Sequence, residues 1–239
     1  MTIPKADFHI PSLDGLRALS IALVFFAHSG MALGIDIPGG FGVTVFFFLS
    51  GFLITTLLRR EYERTGAVSF SKFYLRRALR ILPTFYIVLA LALAATFVFD
   101  LPGELDFESV LAQVLHYTNY WIIANSFDGL AGGTGVYWSL AVEEHFYLLF
   151  PLLFLFLMRS GAKPERQATV LLAACALLLL WRLYLAGRLD ALGIASRDRI
   201  ELASDTRFDS LLYGCILALY GNPALDPSRF GERLWEYVF

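Results

Sequence analysis

RALSIALVFFAHSG, Arg17 to Gly30, is an apolar run with a guanidinium at one end and an imidazole near the other. Leu16 to Leu33 approaches the roughly 20 apolar residues that a helix needs to cross a bilayer core. Arg17 and His28 lie eleven positions apart, which at 3.6 residues per turn returns to within about 20° of the same direction. They therefore share a helix face, separated by about 16 Å along the axis. A charged side chain at mid-membrane costs at least about 2.5 kcal/mol, so such residues face a partner or a polar cavity. Neutral histidine avoids part of that cost.

Outward from this stretch the same pattern recurs. Further candidate spans are Gly39 to Leu58, Ile81 to Phe99, Tyr137 to Met158, Ala168 to Gly187 and a short one at Phe208 to Tyr220. Of the 239 residues, 57% are hydrophobic and 17% charged, with a mean hydropathy of +0.62. That balance lies outside the range of soluble domains. The expected architecture is all-α, a polytopic transmembrane helix bundle of about six spans, forming one domain over residues 1–239. A net charge of −2 gives no excess that would suggest nucleic acid. Cys175 and Cys215 sit in apolar runs, where a thiol is a small packing residue. His9, His28, His116 and His145 lack metal-ligand spacing, so no metal is expected. The acidic Asp7 and Asp14 argue against a cleaved signal peptide.

Lys and Arg set orientation through the excess carried by cytoplasmic loops. Arg59, Arg60, Arg64, Lys72, Arg76, Arg77 and Arg80 fall between the second and third spans, and Arg159, Lys163 and Arg166 follow the fourth. From Ile81 through Met158 there is no Lys or Arg, while Asp100, Glu104, Asp106, Glu108 and Asp128 fall there. The N-terminus is thus expected to be cytoplasmic. Phe107 to Ala124, as a span, would put the loop at 159–166 outside, so an interfacial or re-entrant piece is expected, with Tyr117, Tyr120 and Trp121 at headgroup depth. Residues 188–207 fit the rule poorly, since alternation makes them external despite Arg188, Arg197, Arg199 and Arg207.

The chemistry-bearing residues cluster in a few stretches. GGFGVTVFFFLSGFLIT places Ser50 and Gly51 after an aromatic block, where small residues let a helix or a ligand approach the backbone. In FYLRRALRILP, Arg77 and Arg80 are three apart on neighbouring positions of one helix face. Paired guanidinium groups suit phosphate, and a plain cytoplasmic anchor to anionic lipid fits equally well. VYWSLAVEEHFYLLFP places Ser139 and Glu143 four apart on one face. Adjacent Glu143 and Glu144 point in different directions, one into the bundle and the other toward water or a second partner. In DTRFD, Arg207 stands between Asp205 and Asp209, as an ion-pair knot or part of a polar cavity.

Together these stretches resemble the acyltransferase-3 family of integral membrane acyltransferases. LDGLRALSIALVFFAHSG is similar to its first helix, GVTVFFFLSGFLI to its second, RRALRILP to its arginine pair and WSLAVEEHFYLLFP to its tryptophan, serine and glutamate signature. The resemblance implies transfer of an acyl group, commonly acetyl, from acyl-CoA to a hydroxyl of a cell-envelope carbohydrate or glycolipid, in a bacterial cytoplasmic membrane. By the same resemblance His28 is the general base or an acyl relay, and Glu143 fixes its tautomer or stabilises its cation. Arg77 and Arg80 bind the CoA phosphates, Arg17 guides the donor, and Ser50, Trp138, Ser139 and Glu144 contact substrate. Two departures stand out. His145 occupies a position where the family pattern has glutamine, and about six helices are legible where the family has about ten, so the chain is expected to lack C-terminal helices. A transporter, or a non-catalytic partner in polysaccharide assembly, also keeps polar groups inside a helical bundle. No paired Gly/Pro-broken helices in corresponding halves favour the transporter.

Overall fold

The computed structural model describes residues 11–31, 37–99, 105–194 and 197–226. Asp7, His9, the end of the first expected span at Leu33, Asp100, Glu104 and the final RLWEYVF lie outside them. Among the described residues all regular structure is helical: α1 (Pro11–Met31), α2 (Gly39–Thr65), α3 (Phe70–Val98), α4 (Phe107–Val114), α5 (Thr118–Asn125), a 3-10 turn (Thr134–Val136), α6 (Tyr137–Arg159), α7 (Pro164–Ala191), α8 (Arg197–Leu202) and α9 (Ser204–Leu219). This agrees with the all-α polytopic expectation.

Four of these helices, α2, α3, α6 and α7, are long and apolar enough to cross a membrane. The expected six also include α1 and α9. The expected span on α1, from Leu16 to Leu33, ends outside the described residues and is not among the four. Helix α9 has 16 residues, about 24 Å at 1.5 Å per residue, against a hydrocarbon core of about 30 Å. The boundaries of α2 and α3 also differ from expectation. The basic stretch 59–80 is largely helical, since α2 runs on to Thr65 and α3 starts at Phe70. Arg59 Nε lies 2.7 Å from Glu63 Oε1 one turn on, and Glu61 of α2 accepts from both the Ser69 backbone N–H (3.0 Å) and Arg76 Nη2 of α3 (3.3 Å).

Phe107 to Ala124 is two helices of eight residues, each about 12 Å long and unable to span. The Asp106 carboxylate caps α4 by accepting the Glu108 N–H at 3.2 Å. Between α4 and α5 the chain turns at His116, whose φ is +58°, a left-handed conformation that few residues other than glycine adopt. The turn is held by Tyr117 N–H donating to the Ala112 carbonyl at 2.8 Å.

The helices gather into two units. The first comprises the described residues through Leu57 together with Pro164–Leu171 and those from Ser210 onward. Here α2 meets the start of the chain and the end of α9 through glycines. A Cβ on Gly42 would stand 2.7 Å from the Ser20 carbonyl oxygen of α1. At Gly51 it would stand 2.0 Å from the Leu211 carbonyl oxygen, and at Gly214 2.0 Å from that of Phe48. Gly51 and Gly214 thus mark a backbone-to-backbone crossing, the small-residue contact typical of membrane helices. Polar groups lock it. Asn222 Nδ2 donates to Thr56 Oγ1 at 2.8 Å, and Cys215 Sγ lies 3.5 Å from the Gly51 carbonyl oxygen. Phe52 and Ala218 form a buried cluster against Leu13, Leu217 and Ala224.

The second unit comprises Leu58–Lys163 and Leu172–Asp209. Its spine is the inner stripe of α6, where Phe146, Phe150 and Phe154 are buried and the first two rings stack 4.9 Å apart. Tyr62 packs edge-on to Phe154 and Phe208 edge-on to Phe146. Outward-facing leucines on α3 and α7, such as Leu79, Leu91, Leu180 and Leu183, present the apolar surface that suits lipid. The two carboxylates of DTRFD, expected around Arg207, pair with arginines from outside that stretch. Asp209 pairs with Arg182 at 2.5 Å, while Asp205 accepts from Arg199 Nη2 and Trp181 Nε1, both at 2.7 Å. Burial opposes charge on Asp205, yet the Arg199 and Trp181 hydrogen bonds outweigh it and hold its carboxyl below the usual range. Residues 197–202, which defeated loop counting, are helix α8.

Two stability outcomes follow. Gly51→Ala or Gly214→Ala should lower the thermal midpoint in detergent, by an overpacking penalty of about 1–3 kcal/mol or more. Gly187→Ala, on a helix face with open space around it, should leave the midpoint unchanged or slightly raised. Arg182→Leu removes the 2.5 Å partner of the partly buried Asp209 carboxylate and should cost about 2 kcal/mol. Arg182→Leu with Asp209→Leu should recover part of that loss, since an apolar pair needs no ionic partner there.

Candidate functional site

Helix α1 carries two of the expected residues on one face, as the eleven-residue spacing requires. Arg17 is half-buried, with Nη1 3.9 Å from Asp14 Oδ1. His28 stands in the last turn, exposed, with Nδ1 2.7 Å from the Val24 carbonyl oxygen. A carbonyl only accepts, so the proton of the neutral imidazole sits on Nδ1. The lone pair is therefore on Nε2. The contact is made by the backbone of its own helix, one turn earlier. Ser50 is buried on α2, one residue before the Gly51 crossing.

Arg77, Arg80, Trp138, Ser139, Glu143 and Glu144 belong to the second unit. The two adjacent carboxylates part company, as their 100° offset demands. Glu143 is 5% exposed and accepts from the Tyr147 hydroxyl, one turn later, at 3.2 Å. Glu144 is half-buried and lines a cavity of about 290 Å³ with Tyr74, Arg77, His116, His145 and Tyr147 among its walls. One Glu144 oxygen, Oε1, is buried without a hydrogen-bond partner. Ser139 donates to the Val136 carbonyl at 3.0 Å at the start of α6, and Trp138 beside it is half-buried.

The arginine pair divides. Arg77 lies in the cavity wall with its guanidinium carbon 4.7 Å from the centre of the Tyr147 ring. Arg80 is exposed and outside that wall. A guanidinium over an aromatic ring is attracted by the electron-rich face of that ring. Tyr74 holds the same stretch of α3 to α6 by donating its hydroxyl to the Leu148 carbonyl at 2.9 Å.

Several cavity residues escaped the motif reading. His116 packs its ring 4.5 Å from that of Phe85, and its Nε2 is buried without a hydrogen-bond partner. Burial, reinforced by the neighbouring His145, lowers its pKa and keeps it neutral. His145 is tied into a chain of hydrogen bonds whose direction is fixed from one end. The Leu202 carbonyl can only accept, so the Asn119 atom 3.2 Å away is Nδ2. The same Nδ2 donates to Ser204 Oγ at 3.1 Å. Ser204 Oγ in turn lies 2.7 Å from His145 Nδ1, which ties the imidazole to α5 through Asn119. The signal in the sequence was the single histidine in LHYTNYW, between two short helices. Among the described residues no three His, Cys, Asp or Glu side chains are grouped as a metal ion requires.

Residues 10–223 match a family described as an acyltransferase domain. O-acetyltransferase OatA of Staphylococcus aureus is 32% identical over 223 residues, covering 90% of this chain and 35% of that protein. Peptidoglycan O-acetyltransferase OatA of Listeria monocytogenes is 31% identical over 224 residues, covering 88% and 34%. The chain spans about a third of the length of these curated relatives. No solved structure matches it. With the family match running from the start of α1 to just past α9, the chain belongs to the acyltransferase-3 family.

Proposed function

We propose that the chain is the integral membrane part of an O-acyltransferase that moves an acyl group, acetyl by analogy with its relatives' names, from acyl-CoA to a hydroxyl of a cell-envelope carbohydrate such as peptidoglycan. The balance of the reaction is simple. The thioester C–S bond breaks, an ester C–O bond forms, and the hydroxyl proton passes through a base to the departing thiolate. His28 is the base. The observation that carries this assignment is the Val24 carbonyl holding the Nδ1 proton, which leaves Nε2 free to take the hydroxyl proton. Arg17, on the same helix face, guides the anionic donor toward it.

Acyl-CoA fits the residues of the second unit in part of its length. A cavity of about 290 Å³ is at the lower limit for ligand pockets, enough for the pantetheine arm and too small for the whole nucleotide. The phosphates then rest on the N–H edges of Arg77 and on exposed Arg80. Glu144, with its unpartnered Oε1, contacts substrate with Ser139 and Trp138, and Ser50 is the substrate contact expected of the first unit. Glu143 is the catalytic carboxylate. Bacterial cytoplasmic membrane, with the N-terminus inside where acyl-CoA is made, is the location that the Lys/Arg distribution favours.

His28→Ala in membranes should reduce transfer of label from acetyl-CoA to peptidoglycan fragments by at least about 100-fold, the range of a lost general base. Retained transfer would remove His28 from the reaction. Arg77→Ala and Arg80→Ala should each raise KM for acetyl-CoA more than they lower kcat, since each removes binding common to ground and transition states. A transporter would instead move substrate with no release of free CoA.

A further inference from the structure

Helix α6 places one side chain between two of the proposed functional groups. Tyr147 is 3% exposed. Its hydroxyl donates to Glu143 Oε1 at 3.2 Å, and its ring lies under the Arg77 guanidinium at 4.7 Å. The two contacts use different parts of the residue, the edge for the carboxylate and the face for the cation. Neither can be replaced by the other.

We infer that Tyr147 is a positioning residue with two separable tasks, orienting the Glu143 carboxylate through its hydroxyl and holding the Arg77 guanidinium in place over its ring. The inference rests on the roles proposed above for Glu143 and Arg77. A carboxylate in a low-dielectric interior has few groups to fix its rotation, and the i,i+4 spacing on α6 brings the phenol directly over it. At 3.2 Å this is a long contact for an O–H donor, and it still gives the carboxylate a directional partner one turn along its own helix. Arginine has a long side chain with many rotamers, and attraction to a buried aromatic face limits them. The same residue therefore sets the direction of the carboxylate and the approach of the anion site. Tyr147 itself need not touch the reacting atoms for either task.

The test is a pair of variants of the full chain in membranes, assayed with labelled acetyl-CoA. Tyr147→Phe keeps the ring and removes the hydroxyl. It should lower kcat about tenfold or more with KM for acetyl-CoA within about twofold of the parent. Tyr147→Leu removes both and should add a rise in KM of about fivefold, the scale of a lost cation–π contact. A purely packing role predicts instead that Tyr147→Phe is silent and Tyr147→Leu lowers only the amount of folded protein, which thermal unfolding in detergent reads separately. Glu143→Gln and Arg77→Ala are run beside them. If these lose activity while Tyr147→Phe keeps the parent kcat, the positioning role is overturned and the roles of Glu143 and Arg77 stand. If Glu143→Gln and Arg77→Ala leave both constants unchanged, the roles themselves fall, and the inference with them. A Tyr147→Phe variant that raises KM and spares kcat overturns the division of tasks.

Discussion

A carboxylate closed off from solvent inside an apolar helix bundle must be hydrogen-bonded, because a lone buried charge is among the largest penalties a fold can carry. Glu143 meets part of that requirement on its own helix. Its partner Tyr147 follows one turn later, and Phe150 and Phe154 continue the same buried stripe. The register of α6 is therefore set by a polar requirement at one end and aromatic packing at the other. Once Glu143 faces inward, the 100° step per residue turns Glu144 and His145 toward α3 and the α4–α5 break, where the cavity lies. The placement of the cavity follows from the placement of one carboxylate.

In the first unit the controlling contact is apolar and backbone-to-backbone. Hydrophobic burial gives little drive for one helix to find another where lipid tails are the competing solvent. Close approach must supply it. Gly51 and Gly214 let α2 and α9 come near enough for Cys215 and Asn222 to reach polar partners on α2. This is why the serine–glycine step in FFFLSG favours the packing reading for Gly51, while Ser50 sits beside the crossing and keeps its proposed contact with substrate.

Legibility differed by the range of the interaction. Apolar runs and 3.6-residue spacing are local, so α2, α3, α6 and α7 were visible, and so were the shared face of Arg17 and His28 and the parting of Glu143 and Glu144. The expected spans stop at Leu58 and start at Ile81, where the apolar runs stop, while α2 and α3 run past those points with Arg59 and Arg76 paired to Glu63 and Glu61. Nothing local connects Gly51 to Gly214, or His145 to Ser204 and Asn119. Those pairs are 163, 59 and 26 residues apart in sequence, and only the packed chain brings them together. His116 was hidden for a further reason: its importance comes from a left-handed turn, and non-glycine residues announce such turns weakly.

The arginine pair shows where spacing stops being informative. Two residues three apart on a helix differ by about 60° in direction, which is narrow enough to share a face and wide enough to straddle its edge. On α3 the edge falls between them. Tyr147 offers an aromatic face to Arg77, and a cation held that way can stay half-buried, since the ring replaces part of its lost hydration. Arg80, one step past the wall, stays in the surface. The difference between the two guanidinium groups is thus written on α6, in the choice of tyrosine at 147, and not in the motif that contains them.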